Sequence, residues 1–297
     1  MPNRASVLSF LVLIGVWGIA QPATAQMLVP HTLQLDASKL ELQGLSLAKE
    51  ASQLAQFQQY ELAMQRAKLA TQLAPKSAEL WALVGGLYLQ TNQLDEGIAA
   101  LKRAQGLDSK SAAVFFALGS AYFQKAQYPT AVNYLKQGLK IKPDVPGALF
   151  DLGNAYLMLR EYSNALAQYE RAVALDKNFW PAINNIGLIK YETGDSDAAI
   201  RHWRSAVSVD AKAAEPLLAI AVALYAKGDR EQGLALGESA IKLDSRYSDL
   251  KFLKENLWGD RLLSDTKKLL ATPRIQATIA QAQERTKPVS QPQPPAQ

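Results

Sequence analysis

The chain contains no cysteine and only two histidines, His31 and His202, among its 297 residues. Without cysteine, neither a disulfide framework nor a lipoprotein anchor can form, and the redox compartment stays open. A metal site needs a cluster of histidine, cysteine or carboxylate side chains at short spacing, and neither histidine has such neighbours. The sequence therefore predicts no metal and no cofactor.

Catalytic motifs are lacking too. Serine and threonine are scattered without a Gly-x-Ser-x-Gly elbow or a partner base, and no glycine-rich loop follows a strand pattern. The formal net charge of +5 is too small to indicate a nucleic-acid partner. We therefore expect a protein that is not an enzyme. An enzyme with an unrecognised site is the last of three function classes that the sequence leaves open.

What the chain has instead is one pattern of 34 residues, repeated six times without insertion over residues 44–247. The register is set by a column that holds Pro75, Ser109, Pro143, Lys177, Ala211 and Ser245. A column of small residues stands 24 residues earlier and holds Ala51, Gly85, Gly119, Gly153, Gly187 and Ala221. A fixed period of this length is typical of stacked supersecondary units.

Each copy of the pattern fits two antiparallel helices. On the first helix, apolar residues flank the small column at spacings of three, four and seven, which place them on one stripe. In the second copy these residues are Trp81, Val84 and Tyr88. The second helix has small residues of its own, such as Gly97 and Ala104, which let it nest against its partner helix.

These columns resemble the tetratricopeptide repeat (TPR) family, whose signature is Trp-x2-Leu-Gly-x2-Tyr, then Ala-x3-Phe, then Pro. The second copy carries it as Trp81, Val84, Gly85, Tyr88, Gly97, Leu101, Ala104 and Ser109. The resemblance implies an all-α fold, a right-handed α-solenoid of six tandem helix-turn-helix repeats with a C-terminal capping helix. The repeats span residues 44–77, 78–111, 112–145, 146–179, 180–213 and 214–247. Glu50, Lys190 and Gly237 depart from the family pattern, which indicates terminal or loosened repeats.

The segment before the repeats has the features of a signal peptide over residues 1–25. Arg4 precedes an apolar run of 14 residues, 7–20, and Ala23-Thr24-Ala25 resembles a signal-peptidase site. The alternative is an uncleaved membrane anchor, although 14 residues fall short of the roughly 20 that cross a bilayer. Residues 26–43 are predicted to be a linker.

The segment after the repeats is predicted to form capping helices over residues 248–272 and a tail over 273–297. An amphipathic stretch, 275–285, fits a loose helix, and the proline and glutamine content predicts disorder from about residue 287. Residues 252–270 are also similar to the tails of exported TPR proteins of cyanobacteria. That similarity points to the periplasm or the thylakoid lumen.

The TPR resemblance also indicates where a partner would bind. In this family the second, fifth, sixth, ninth, twelfth and thirteenth residues of each repeat line a concave groove. The candidate peptide-binding residues at these positions are Asn154, Asn185, Asn184, Phe116, Phe123, Phe150, Tyr191 and Tyr225. Each asparagine can donate to a carbonyl and accept from an amide of an extended peptide. The alternative for the three phenylalanines is that they pack against adjacent repeats.

Chaperone-binding members of the family grip a C-terminal carboxylate with lysine, arginine and two asparagines. Asn154 and Asn185 match the two amides, but Phe150, Glu215 and Ala219 stand where the cations would be. A free carboxylate would find no cation there, so we do not expect the chaperone tail motif to bind.

Export, a groove and missing chemistry together favour a non-enzymatic scaffold that binds a segment of a partner protein. We expect an adaptor or assembly factor for an envelope or photosynthetic-membrane complex. The second function class is a membrane-associated structural protein that uses an uncleaved anchor or a basic convex face on lipid. The basic residues of that face, all on second helices, are Lys102, Arg103, Lys136, Lys140, Arg171, Arg201 and Arg204.

Overall fold

The computed structural model describes residues 36–286, so the predicted signal peptide, linker residues 26–35 and tail residues 287–297 lie outside it. All the regular structure in this part of the chain is helical. The first helices of the six repeats are α1 (Ala37–Gln56), α3 (Ala78–Gln90), α5 (Ala112–Gln124), α7 (Pro146–Met158), α9 (Trp180–Glu192) and α11 (Ala214–Lys227). The second helices are α2 (Tyr60–Leu73), α4 (Leu94–Leu107), α6 (Tyr128–Ile141), α8 (Tyr162–Leu175), α10 (Ser196–Val209) and α12 (Arg230–Leu243).

Each second helix packs against the first helix of its own repeat, and α2, α4, α6, α8 and α10 also pack against the first helix of the next repeat. The first helices α1, α3, α5 and α7 also contact one another in sequence. The predicted all-α solenoid of six helix pairs is therefore confirmed. No helix within residues 36–286 is long and apolar enough to cross a bilayer.

The small column makes room for large side chains of the second helix. A Cβ atom added to Gly187 would lie 2.4 Å from Trp203 Nε1, and one added to Gly153 would lie 2.5 Å from Tyr169 Cε1. Gly85 and Gly119 face leucines of the second helix in the same way. Glycine is needed at these crossings because protein interiors are close-packed and the opposing side chain fills the space.

The sixth repeat reverses this arrangement, with Ala221 on its first helix and Gly237 on its second. Two residues from beyond the repeats fill the space at Gly237. A Cβ atom added there would lie 3.1 Å from Ile275 Cδ1 and 3.3 Å from Leu269 Cδ2. Gly237 is therefore the docking point of the C-terminal helices, which explains its departure from the family pattern.

The turn between the two helices of every repeat contains one residue in the left-handed region. These residues stand at equivalent positions and are Gln58, Asn92, Ala126, Arg160, Gly194 and Gly228, with φ between 55° and 101°. Only the last two are glycine, the residue that adopts this conformation without steric cost. The turn geometry is thus set by the packing of the helix pair rather than by the turn residue.

A 3₁₀ turn, Ser245–Ser248, leads from the sixth repeat to α13 (Leu250–Glu255), α14 (Asp260–Leu270) and α15 (Pro273–Thr286). Helix α14 packs against α9 and α11, whereas α15 packs against α12. Part of the predicted tail is therefore an ordered helix, because Ile275 and Thr278 are buried. At the other end, α1 begins at Ala37, within the predicted linker, because Leu40 extends the face that includes Leu47.

Candidate peptide-binding groove

The concave face of the solenoid is formed by the first helices, and in repeats 5 and 6 it is covered by the chain itself. Residues 249–270, which we call the C-terminal strap, lie across α9 and α11. Leu257 packs against the core of repeats 4 and 5, and Trp258 lies in the same buried cluster as Leu218 and Val222 of α11. The groove-lining positions of the sixth repeat are therefore not open to a partner.

Trp258 is the buried anchor of the strap, with 3% of its surface exposed. Its indole Nε1 donates a hydrogen bond of 3.0 Å to Oε1 of Glu215, which is 8% exposed. Burial raises the pKa of Glu215 to about 7, against the opposing effect of hydrogen bonds from Trp258 and Asn184. A buried carboxyl with so few donors is stabilised in its neutral form.

Glu192 holds the backbone of the strap. Its carboxylate accepts from the backbone N–H of Arg261 at 3.2 Å and of Leu262 at 2.9 Å. These N–H groups lie at the start of α14 and have no partner within the helix, and the N-cap residue Gly259 has no side chain to bind them. A Cβ atom on Gly259 would lie 2.3 Å from Cδ of Glu192, so glycine permits this close approach.

Polar side chains complete the attachment. The guanidinium of Arg261 donates to the backbone oxygen of Tyr191 at 2.9 Å and lies 4.7 Å from the centre of its ring. The Tyr191 hydroxyl donates to Asp265 at 2.7 Å. On the rim, Arg160 pairs with Asp260 at 2.8 Å. A cleft of about 220 Å³ remains between the strap and the ends of α7 and α9.

The three predicted asparagines form one buried network. Oδ1 of Asn154 accepts from the Tyr169 hydroxyl at 2.7 Å and from Nδ2 of Asn185 at 2.9 Å. Nδ2 of Asn184 donates to Oδ1 of Asn185 at 3.1 Å. Oδ1 of Asn184 has no hydrogen-bond partner among residues 36–286, although the residue is only 1% exposed. The asparagine network therefore binds mainly to itself and ends beside Glu215.

Of the predicted aromatic residues, Tyr191 is buried, whereas the other four pack on neighbouring helices and stay half-buried. The Phe116 ring lies over Gly138, where an added Cβ atom would be 2.4 Å from its Cε1. The Phe150 ring contacts that of Phe179 with centroids 5.3 Å apart, and the Phe123 ring lies 5.4 Å from that of Tyr128. Near the other end, the guanidinium of Arg230 lies 5.7 Å from the Tyr225 ring. Their part in binding a partner stays a prediction.

Sequence reasoning did not find Glu192, Glu215 and Trp258 as a set. Glu215 was noticed only as an acid in place of a cation, and its partner follows 43 residues later in the chain. Asp151 was also missed: it is half-buried on the concave face of α7, and burial raises its pKa to about 6. A carboxylate at a groove-lining position was the signal that could have drawn attention to both acids.

Models of one repeat family match four stretches of the chain. A model described as TPR repeat matches residues 119–159, and models described as tetratricopeptide repeat match 78–111, 146–179 and 184–248. No curated protein sequence matches the chain.

Solved structures share this fold. PilF of Pseudomonas aeruginosa aligns with a TM-score of 0.63 at 16% identity, over 73% of this chain and 98% of that chain. YrrB, titled a TPR protein with an unusual peptide-binding site, gives 0.50 at 22% identity, over 68% of this chain and 97% of that chain. MamA gives 0.50 at 23% identity, over 55% and 95%. Through its repeats the chain belongs to the tetratricopeptide repeat family, whose fold is typical of non-enzymatic scaffolds for protein–protein interaction.

Proposed function

We propose that this protein is a scaffold that binds a segment of a partner protein on the concave face of its first helices. The strap is the observation that supports this proposal. In repeats 5 and 6 the same face already holds a chain segment through contacts that a partner could supply. Glu192 takes two backbone N–H groups, and an apolar site takes the Trp258 side chain. Backbone capture with side-chain sites is how grooves recognise peptides.

The role that we propose is that of an exported adaptor or assembly factor for an envelope or photosynthetic-membrane complex. Export is supported by residues 1–25, where a short positive start, an apolar run and Ala23-Thr24-Ala25 follow one another. N-terminal sequencing of the protein recovered from a bacterial periplasm tests it, with Gln26 as the expected first residue. A chain that retains residues 1–25 in the membrane fraction would support the anchor instead.

The groove is tested by crosslinking and affinity capture from envelope and lumen fractions, followed by mass spectrometry. The concave variants are Leu83→Glu and the double variant Asn154→Ala with Asn185→Ala. The matched control replaces two exposed asparagines of second helices, Asn133→Ala with Asn164→Ala. We expect a stoichiometric partner that is lost with at least one concave variant and kept with the control, while circular dichroism shows each variant folded.

A partner that survives every concave substitution would remove the groove from the proposal. Because Asn154 and Asn185 bind each other, a loss with the double variant counts only when its unfolding midpoint stays near that of the parent. Absence of any stoichiometric partner would contradict the scaffold role itself.

A second candidate is peripheral binding to anionic lipid through the convex face. The observation that favours it is a set of exposed cations on consecutive second helices, among them Lys136, Lys140, Arg171 and Arg204. Flotation with vesicles that contain phosphatidylglycerol tests this candidate. Binding that falls steeply with salt and is lost in Lys136→Glu with Lys140→Glu would support it, whereas partner capture would be unchanged in that variant.

A further inference from the structure

The concave face is covered in one half of the solenoid and open in the other. In the sixth repeat, Leu218, Ala219 and Val222 are fully buried under the strap. The equivalent positions of the second repeat are Ala82, Leu83 and Gly86, which are all partly exposed. A Cβ atom added to Gly86 would meet nothing within 4 Å. Repeats 1–3 therefore present, in a more open form, the face that the strap occupies in repeats 5 and 6.

We call this surface the open channel, formed by the concave positions of α1, α3 and α5. Its floor includes Leu83 and the small residues Gly86, Ala117 and Ser120, where a chain can approach closely. A cleft of about 480 Å³ lies at its N-terminal end, beside Leu45, and Lys49 and Glu79 are among its lining residues. The small residues at the centre of the floor suit an extended segment rather than a bulky folded surface.

One rim of the open channel carries an amide in each repeat. Gln56, Gln90 and Gln124 stand at the thirteenth position of repeats 1–3, and all three are exposed. In the covered half the same position holds Glu192, which binds the backbone of the strap. A glutamine amide both donates and accepts, so this rim can pair with the N–H and C=O groups of an extended chain. The three glutamines are uncharged, so this rim does not require the ligand to present a charged chain terminus.

The far end of the open channel is marked by Asp151. Among residues 36–286, no cationic side chain pairs with its carboxylate and no group donates a hydrogen bond to it. The residue is partly buried. The neighbouring amides do not supply one, because Asn154 and Asn185 are bound to each other and to Tyr169. A half-desolvated carboxylate without a partner favours a ligand that brings a positive charge.

We propose, resting on the function proposed above, that the open channel binds an extended apolar segment of a partner protein with a lysine or arginine at Asp151. The small residues of the floor and the uncharged glutamine rim favour an extended segment, and Asp151 gives its charge. The strap closes the groove beyond this point, so the segment ends or leaves the surface there. The partner is a different protein rather than the strap of a second copy, because the strap is held by its own buried Trp258.

Selection of displayed random dodecapeptides on the full-length protein tests this inference. We expect enriched peptides that combine apolar residues with a lysine or arginine and that compete with one another for one site. Asp151→Asn should weaken their binding by about tenfold, as loss of a charge-assisted hydrogen bond predicts. Asp151→Asn keeps the shape of the side chain and removes a desolvated charge, so it folds. Selection on Asp151→Arg should enrich acidic peptides instead.

The controls place the site within the groove. Leu83→Glu should abolish binding, whereas Arg160→Ala, which removes only an exposed ion pair of the strap, should leave it unchanged. If the enriched peptides bind the Leu83→Glu and Asp151→Asn variants as tightly as the parent, the proposed binding in the open channel is wrong. The scaffold function would still stand. Failure to enrich any peptide that binds would contradict both proposals.

Discussion

The two halves of the solenoid share one helical plan but differ in what lies on their concave face. Repeats 1–3 have a partly exposed floor that includes Leu83, Gly86 and Ser120. Repeats 5 and 6 have Asn184, Glu192 and Glu215 at groove-lining positions, and all three are bound or covered by the strap and its neighbours. Polar groups in the groove of this protein are therefore not by themselves signs of a ligand site. In the covered half they serve to hold the chain against itself.

The covered half also has the larger buried side chains. Tyr169 and Trp203 fill the helix crossings of repeats 4 and 5, whereas Leu101 and Leu135 fill those of repeats 2 and 3. Their polar atoms need partners inside the protein: the Tyr169 hydroxyl binds Asn154, and the Trp203 indole binds the backbone oxygen of Asn184. Aromatic crossings and the asparagine network are thus two parts of one arrangement, and the strap packs beside it on α9 and α11.

The largest expected effect comes from removing the strap anchor. Trp258→Ala should lower the free energy of unfolding by about 3–5 kcal/mol, because it empties a buried site and removes one of the two side-chain donors to Glu215. Urea unfolding measures the loss, and hydrogen exchange should show α9 and α11 less protected while α1 and α3 are unchanged. Trp81→Ala is the matched control in the open half, where the half-buried indole donates to the Pro75 oxygen and lies 4.0 Å from the Arg103 guanidinium. An equal loss of unfolding free energy in both variants would mean that anchoring the strap stabilises the protein no more than an ordinary half-buried tryptophan does.

Neutralising the buried acid should remove a pH dependence that belongs to the covered half. The folded-state pKa of Glu215 is about 7, above its ordinary value of 4.5. The folded state therefore holds the proton more tightly, so the free energy of unfolding should fall as pH rises from about 4.5 to about 7. Glu215→Gln keeps an acceptor for Trp258 and adds a donor beside Asn184. We expect it to stabilise the protein at pH 8 by roughly 1–3 kcal/mol.

Urea unfolding at pH 5 and pH 8 measures this difference for the parent and the variant. Asp151, whose pKa is raised to about 6, adds a smaller fall of the same sign over pH about 4 to 6. Asp151→Asn should therefore reduce the change in unfolding free energy over pH about 4 to 6. The change near neutral pH, which comes from Glu215, should remain. Glu79→Gln is the exposed control in the open half. A parent whose stability rises between pH 5 and pH 8 would contradict the burial of these two acids.

Adding one methyl group should separate a helix crossing from the open channel. Gly187→Ala should destabilise the protein by about 1–3 kcal/mol, because the new Cβ atom would overlap the Trp203 ring. Gly86→Ala, on the concave face of α3, should instead stabilise it by about 0.5–1 kcal/mol, since alanine is the better helix former and nothing lies near. Thermal unfolding of both variants decides the matter. Destabilisation by Gly86→Ala would mean that the open channel is filled.

The smallest effect concerns the turns between paired helices. Ala126 has a φ of 55°, whereas the equivalent residue of the fifth repeat is Gly194, with a φ of 99°. Ala126→Gly should stabilise the protein by about 0.5–1 kcal/mol, and Gly194→Ala should destabilise it by a similar amount. Melting temperatures of the two single variants measure the difference. If both variants shift the melting temperature in the same direction, the left-handed conformation of the turn residue does not explain the effects of the two substitutions.

The candidate site was predictable in part. The repeat register placed Asn154 and Asn185 on the same face of adjacent repeats, and the structure brings their side chains within 2.9 Å. It did not indicate that they bind each other, because two amides satisfy one another as readily as they satisfy a peptide. Phe116 was placed on the concave face by the same register, but its ring turns onto Gly138, a rotamer choice that depends on packing.

The sequence by itself determined the helix pairs, the phase of the six repeats, the crossings that need glycine and the docking of successive repeats. These features are local: every one rests on contacts within a repeat or between neighbours, which a fixed period of 34 residues records directly. Only the tertiary structure decided which half of the groove stays open. That choice rests on Trp258 with Glu215 and Asp260 with Arg160, pairs 43 and 100 residues apart that follow no period. Long-range burial of one indole, rather than the repeat pattern, sets where this scaffold has room for a partner.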